Sequence, residues 1–171
     1  MKTILSIIIL LILPAASIFA QDNSHSHEEH LGKLLASYFE MKDALVADDF
    51  KTAKQALIDF TEEVKNNPEM IDHKKHAAKH AMHHSAMVSA VDIAGSSTDI
   101  KTLRDSFDEI TVELLKAIEN QGYTDWEMYV QFCPMADGGN GAKWISKEKK
   151  IMNPYFGSMM LNCGSVVDTI N

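Results

Sequence analysis

Apolar residues recur at helical spacing along most of the chain. Intervals of three and four residues place each set on one face of a helix, so each predicts an amphipathic helix with one buried side. The first two sets are Leu31, Leu34, Tyr38, Met41 and Leu45, and then Phe50, Ala53, Leu57, Phe60 and Val64. A later set is Ile100, Leu103, Phe107, Ile110, Leu114 and Ala117.

Polar and helix-breaking residues separate these predicted helices. The breaks are Asp48-Asp49, Asn66-Asn67-Pro68, Gly95-Ser96-Ser97 and Asn120-Gln121-Gly122. Proline and glycine are unfavourable inside a helix, which makes these segments links, and a third helix is expected after the proline. Four helices with short links predict a mainly α fold, an antiparallel four-helix bundle over residues 33–122.

The predicted third helix carries a row of histidines. His73, His76, His80 and His83 are spaced by three, four and three residues, and His84 follows directly. The other side of this helix carries Ile71, Ala78, Met82 and Ile93. We expect the apolar side to pack into the core and the imidazoles to point to water. The five histidines are secondary metal candidates for Zn(II) or Cu(II), and a solvated face without metal is the alternative.

The residue pattern changes after Gly122. "MYVQFCPM" is rich in aromatic and β-branched residues, "ADGGNGA" is typical of a turn, and "KWIS" is apolar again. Residues 123–171 are therefore predicted to form an irregular C-terminal cap of the same domain that can contain a β-hairpin. The helices are expected not to depend on this cap. The glycines do not form a phosphate loop, because no Gly-Lys-Ser/Thr follows them.

The N-terminus has the pattern of a secretory signal peptide. Lys2 precedes an apolar run from Ile4 to Leu13, and small residues follow up to Ala20. This pattern predicts a signal peptide at residues 1–20, and the run is too short to span a bilayer. Retention as a membrane anchor is the alternative. Residues 21–32, with His25, His27 and His30, are expected to be a flexible N-terminus.

Charge and acidic residues exclude some functions. The formal net charge is −8, and it becomes −9 without Lys2. An acidic protein has no bulk attraction for nucleic acid or for an anionic membrane, so neither a nucleic-acid partner nor membrane insertion after signal cleavage is expected. The carboxylates assemble no nucleophile, base and orienting group, and we predict no catalytic residues and no enzymatic activity.

Each of the two cysteines has a methionine nearby. Cys133 and Met135 would share one side of an extended segment, and Met160 and Cys163 would share one side of a helical turn. These four residues are metal candidates, because soft sulfur ligands favour Cu(I). A Cys133–Cys163 disulfide is an alternative in an exported domain and would stabilise it by roughly 3 to 4 kcal/mol. Free buried thiols are a third possibility.

Two segments resemble a known family. The C-terminal stretch from "MYVQFCPM" onward, and "ALVADDFKTAKQAL" before it, resemble domain-of-unknown-function family 3347 over roughly residues 33–171. The motif positions are Cys133-Pro134-Met135, Asn153-Pro154-Tyr155, and Met160, Leu161, Cys163 and Gly164. The family occurs as small exported proteins of Gram-negative bacteria and attached to periplasmic adaptor subunits of heavy-metal efflux pumps.

The resemblance implies metal handling outside the cytoplasm. It favours a periplasmic Cu(I) sequestration or delivery protein with a metal ion as ligand and an adaptor or efflux component as partner. The alternative is a non-metal envelope interaction module whose cap is locked by a Cys133–Cys163 disulfide. The histidine row is not part of the family's pattern.

Overall fold

Four helices followed by a small antiparallel sheet make up the computed structural model, which describes residues 22–66, 77–121 and 126–171. The helices are α1 (Asp22–Val46), α2 (Phe50–Asn66), α3 (Ala77–Gly95) and α4 (Ile100–Gln121). The strands are β1 (Met128–Cys133), β2 (Ala142–Ser146) and β3 (Ser165–Ile170). The predicted signal peptide lies outside the described residues.

The predicted mainly α fold is confirmed, and most residues of the apolar sets of α1, α2 and α4 lie in its core. α1 packs on α2, α2 on α3, α3 on α4, and α4 on α1. Two aspartates cap helix N-termini: the Thr52 amide donates to Asp49 Oδ1 at 3.0 Å, and the Thr102 amide donates to Asp99 Oδ1 at 2.9 Å. Within the described ranges, no helix combines the length and the apolar character needed to cross a membrane.

The start of α1 differs from the flexible N-terminus predicted for residues 21–32. α1 begins at Asp22, and its side chains are described from Glu29 onward. His30 and Leu31 are buried. Leu31 continues the apolar face of α1, and His30 Nδ1 lies 2.7 Å from Glu63 Oε1 on α2. Leu31 thus packs as its place in the first apolar set predicts, and His30 is a buried residue within the segment predicted to be flexible.

The sheet has the strand order β2-β1-β3, and both pairs are antiparallel. β1 and β2 form the expected hairpin, in which Gln131 lies opposite Trp144 and Cys133 lies opposite Ala142. On the other side of β1, Phe132 lies opposite Ser165. This register brings the end of β1 beside the start of β3.

Helix side chains satisfy the outer edge of β2. The Ile145 amide donates to the Tyr38 hydroxyl of α1 at 3.1 Å, and the Lys143 amide donates to Asp108 Oδ1 of α4 at 3.3 Å. An edge strand otherwise exposes unpaired backbone groups. α1 and α4 therefore hold the sheet through its backbone.

Arg104 makes a second junction between the helices and the chain after β2. Its Nε donates to Pro154 O at 2.7 Å, and its Nη2 donates to Leu45 O at 2.5 Å and to Asp48 Oδ1 at 2.7 Å. The second carboxylate oxygen of Asp48 accepts from the Ser158 amide at 3.1 Å. A Cβ at position 157 would collide with Asp48 and Arg104, and Gly157 also has a positive φ of 54°, so glycine fits this position.

Candidate functional site

Cys133 is the last residue of β1, and its side chain is fully buried. Alternation along the strand places it on the same face of the sheet as Gln131. Pairing with Ala142 of β2 fixes its backbone. The cysteine thus lies at the end of the sheet's central strand.

The segment after Cys133 is a turn, so the predicted extended arrangement of Cys133 and Met135 is wrong. The Ala136 amide donates to Cys133 O at 3.3 Å, with Pro134 and Met135 as the two central residues. Proline favours this position of a turn and cannot donate to a strand ladder, which explains why β1 ends here. The Met135 side chain is 54% exposed at the surface of the cap.

Cys163 ends a turn immediately before β3. Its amide donates to Met160 O at 3.0 Å, so Met160 and Cys163 are joined by a single turn following the short 3-10 helix Gly157–Met159, not by a continuing helix. Asn153 holds this turn from inside: its Nδ2 donates to Cys163 O and its backbone amide donates to Leu161 O, both at 2.8 Å. The side chain of Asn153 is fully buried, which makes it an internal anchor for the cysteine.

Gly164 lets the chain pass close to the central strand. It has a φ of 137°, and a Cβ there would lie 2.8 Å from both Phe132 O and the tip of the Trp144 ring. A side chain at this position would therefore push the turn away from β1. Glycine keeps Cys163 next to Cys133.

The structure brings the two thiols together. Both cysteines are free, and the sheet places them near each other: Phe132 lies opposite Ser165, and a Cβ at Gly164 would lie 2.8 Å from Phe132 O. Hydrogen bonding with Cys133, burial and repulsion between the two sulfurs raise the pKa of Cys163 above its usual range. Hydrogen bonding with the Met135 backbone partly opposes this rise in pKa, because an N–H donor favours the thiolate.

Two buried polar groups lie on the same face of the sheet as Cys133. Gln131 and Trp144 are opposite each other in the hairpin and are both fully buried. Gln131 Nε2 donates to Glu148 O at 2.8 Å, but Gln131 Oε1 and Trp144 Nε1 have no hydrogen-bond partner within the described ranges. Unpaired buried polar atoms are uncommon, so this face of the sheet holds unused hydrogen-bonding capacity.

His83 and His84 of α3 do not point to water as predicted, because both are half-buried. His73 and His76 lie outside the described residues, and His80 lies on α3. Met82 and Ile93 were expected in the core but are exposed. The buried side of α3 is the one that follows His83 and His84 along the helix, with Met87, Ala90, Val91 and Ala94. The packing of α3 is therefore the reverse of the sequence-based expectation.

Polar partners explain how the histidine side of α3 packs inward. His84 Nε2 lies 3.0 Å from Val64 O on α2, one residue after the Glu63 that pairs with His30. His83 Nε2 is buried and has no hydrogen-bond partner in the described part of the chain. The C-terminal end of α2 thus supplies polar groups to α1 and α3, and apolar spacing alone does not reveal them.

Ligand counting limits how a metal could be held. Among the residues that the structure describes, no three His, Cys, Asp or Glu side chains form a group that could hold a metal ion. Beyond the two cysteines themselves, the nearest sulfur ligands along the chain are the thioethers of two methionines. Met160 is half-buried and one turn from Cys163, and Met135 is two residues from Cys133.

The Asn153-Pro154-Tyr155 motif positions the site without belonging to it. Asn153 anchors the Cys163 turn, Pro154 O accepts from Arg104, and the Tyr155 hydroxyl donates to Lys143 O. Sequence reasoning missed the roles of Asn153 and Arg104. An asparagine immediately before a proline was a signal for such a turn.

Comparison with known proteins gives a family and no function. No curated protein and no solved structure matches the chain. The family model described as "Protein of unknown function (DUF3347)" matches residues 34–125, more than half of the chain. The match begins within α1, continues through α4 and ends before β1, so both cysteines lie outside it. The chain therefore belongs to the DUF3347 family of proteins of unknown function.

Proposed function

We propose that this protein is an exported, periplasmic soft-metal-binding protein that sequesters or delivers Cu(I) in connection with heavy-metal efflux. The observation that supports the proposal is the closeness of two free cysteines where the end of β1 lies beside the turn before β3. Two thiolates at one point are a ligand pair for a soft monovalent ion. The proposed role is binding and transfer, without catalysis.

The thioethers of Met135 and Met160 complete the proposed ligand set. Both are attached to the turns that carry the cysteines, and both are uncharged soft ligands. Met135 is exposed, so it must turn toward the thiols when a metal binds. We therefore expect the methionines to contribute less to the affinity than the cysteines.

Competition against a chromophoric Cu(I) chelator tests the proposal. Reduced protein lacking residues 1–20 should bind about one Cu(I) per chain, because the two cysteines lie near each other. Cys133→Ser and Cys163→Ser should each lower the affinity by more than the about 10- to 100-fold expected when a residue that only hydrogen-bonds to a metal ligand is removed. Met135→Leu and Met160→Leu should lower it less.

Met159→Leu is the matched control for Met160→Leu. Met159 is its neighbour and is 76% exposed, and it is not among the proposed ligands. Its substitution should leave Cu(I) binding unchanged, and far-UV circular dichroism should show that all variants keep their helices. Serine variants that fold and compete as well as the parent would disprove the assignment.

The same closeness of the two cysteines favours a second candidate, a non-metal interaction module with a Cys133–Cys163 disulfide. Such a bond would tie β1 to the turn before β3 and fix the cap for docking to an envelope partner. Thiol counting on metal-free protein after incubation with reduced glutathione separates the candidates: the metal protein has two reactive thiols after unfolding, and the locked module keeps its disulfide and has none.

The proposal extends to the architecture and to the secondary site. Each helix contacts the next along the chain, and α4 contacts α1. These contacts support an antiparallel four-helix bundle with residues 123–171 as its cap. Residues 1–20 would direct export, and an adaptor or efflux component would be the partner. The histidines of the α3 region would bind Zn(II) or Cu(II) separately from the sulfur site.

A further inference from the structure

We propose that Cys133 and Cys163 form a thiol–disulfide exchange couple that reacts with disulfides and dithiols, and whose oxidation prevents metal binding at the same sulfurs. The exchange reaction stands on the geometry of the thiols alone. Its effect on metal binding rests on the proposed function. The couple differs from a permanent structural disulfide because it cycles between two states.

Both backbones that carry the thiols are held independently of any bond between the sulfurs. Cys133 is fixed in the hairpin opposite Ala142. Cys163 is fixed by its own amide, which donates to Met160 O, and by Asn153 Nδ2, which donates to its carbonyl. The dithiol state is therefore already organised, and oxidation joins two side chains that the register of β1 and β3 and the close approach of Gly164 to Phe132 place near each other.

The two thiols differ in access, which sets the order of the reaction. Cys133 is completely buried, whereas Cys163 is partly exposed and precedes the exposed strand β3. An external disulfide can reach Cys163 first, and Cys133 can then act only on the sulfur beside it. Cys163 is the entry thiol and Cys133 is the resolving thiol.

The reaction balances as two successive exchanges. The Cys163 thiolate, after losing its proton, attacks a disulfide R–S–S–R, forms Cys163–S–S–R and expels one thiolate. The Cys133 thiolate then attacks the Cys163 sulfur, forms the Cys133–Cys163 bond and expels the second thiolate. The protein gives up two electrons and two protons, and the disulfide is reduced to two thiols. A dithiol donor reverses both steps.

Oxidation removes both thiolate ligands at once. A sulfur in a disulfide no longer offers the thiolate charge that binds a soft metal ion. The metal capacity of the protein would therefore follow the thiol–disulfide balance of its compartment, with the reduced state loading Cu(I) and the oxidised state unable to hold it.

Titration with reduced and oxidised glutathione tests the couple on the protein without residues 1–20. Samples are acid-quenched, unfolded and alkylated, and their masses are measured. We expect the two alkylation sites to disappear together and to return when reduced glutathione is added. Single glutathione adducts that never close to an internal disulfide, or disulfides between chains only, would overturn the proposal.

Single variants test the order of attack. Folded Cys133→Ser should accumulate glutathione on Cys163, because no resolving thiol remains. Folded Cys163→Ser should react at Cys133 at least about tenfold more slowly, and should match the other variant in urea, where burial no longer protects the thiol. Equal rates in the folded proteins would overturn the assigned order, and the parent titration still tests the couple if either variant fails to fold.

A Cu(I) titration of both redox states separates the two proposals. Cu(I) binding by the reduced protein and none by the oxidised protein supports the proposal that oxidation prevents metal binding. Reduced protein that cycles with glutathione but binds no Cu(I) contradicts the proposed function and leaves the exchange couple standing. Reduced protein that binds Cu(I) but never forms the internal disulfide contradicts the couple alone.

Discussion

At the scale of single residues, the ion pair of Asp48 and Arg104 connects the end of α1 to the C-terminal cap. The Arg104 guanidinium is buried and donates to the last turn of α1 through Leu45 O, while Asp48 accepts from Ser158 in the cap. Asp48 also has a positive φ of 59°, a conformation that aspartate tolerates better than most residues. The sequence signal at Asp48-Asp49 predicted only a break between helices.

Asp48 should make stability depend on pH in the acidic range. Hydrogen bonds from Ser158 and then from Arg104 lower the pKa of Asp48 to about 2, from 3.8 in an unperturbed carboxyl group. The folded-state pKa is the lower one, so this stabilisation is present above about pH 4 and is lost as the pH falls toward 2.

Comparing Asp48→Asn with the parent in urea unfolding between pH 2 and pH 7 checks this prediction. The variant should be less stable at neutral pH and should lose less stability on acidification. Because the Asp48 side chain is 38% exposed, solvent screening should limit the difference to about 1 kcal/mol. Asp59→Asn, at an exposed position on α2, is the control, and an equal effect there would contradict the special role of Asp48.

At the scale of elements, sequence periodicity predicted α1, α2 and α4 well because their partners are apolar. It failed on α3, where Met82 and Ile93 are exposed and His83 and His84 lie toward the buried side. Residue spacing indicates which residues share a helix face. It does not indicate that Val64 O on α2 lies within hydrogen-bonding distance of the His84 imidazole. The closeness of the two cysteines likewise depends on strand register, which residue spacing suggests but does not determine.

The histidine row should affect divalent metal binding and not Cu(I) binding. Replacing His73, His76, His80 and His83 by alanine should weaken Zn(II) or Cu(II) binding, because imidazole suits these ions, while the thiols remain unchanged. Isothermal titration with each metal measures the effect. Met82→Ala, on the exposed side of α3, is the control, and an equal loss of Cu(I) binding would place these histidines in the sulfur site.

The junction between α1 and β2 depends on one hydroxyl group. The Thr111 hydroxyl donates its proton to Phe107 O at 3.0 Å. The Tyr38 hydroxyl must therefore be the donor in its 2.9 Å hydrogen bond with Thr111 Oγ1. The same Tyr38 oxygen accepts a hydrogen bond from the Ile145 amide. Tyr38→Phe would leave a buried amide without an acceptor. The free energy of unfolding should fall by about 1 to 3 kcal/mol.

The free energy of unfolding in urea, measured for Tyr38→Phe and for Tyr129→Phe as its control, checks this prediction. The Tyr129 hydroxyl bonds to Glu127, an exposed carboxylate that water can also solvate, so its loss should cost less. If the two variants lose equal stability, the contact with the Ile145 amide has no special importance.

At the scale of the whole molecule, the cap and the helices share their hydrogen bonds. Tyr38, Asp48, Arg104 and Asp108 on the helical side bond directly to residues after β1. These contacts argue against the expectation that the helices are independent of the cap. The family match, which ends at residue 125, therefore does not mark the end of a separate folding unit.

We expect the two parts to unfold in one transition. Trp144 is fully buried in the cap, so its fluorescence reports the cap, and far-UV circular dichroism reports the helices. In a Trp126→Phe background the two signals should give the same urea midpoint, as for a two-state domain. A cap signal that is lost first, with the helical signal intact, would contradict this prediction.

The bond between Tyr38 and Ile145 has a consequence for how the chain reaches its native state. Its two ends are 107 residues apart in sequence, so the first helix cannot complete its contacts until most of the polypeptide has been synthesised. Contacts of such long range carry a high loop-closure entropy and slow folding. The early part of the chain therefore completes its packing late, which prolongs the interval in which it remains unfolded after it has been synthesised.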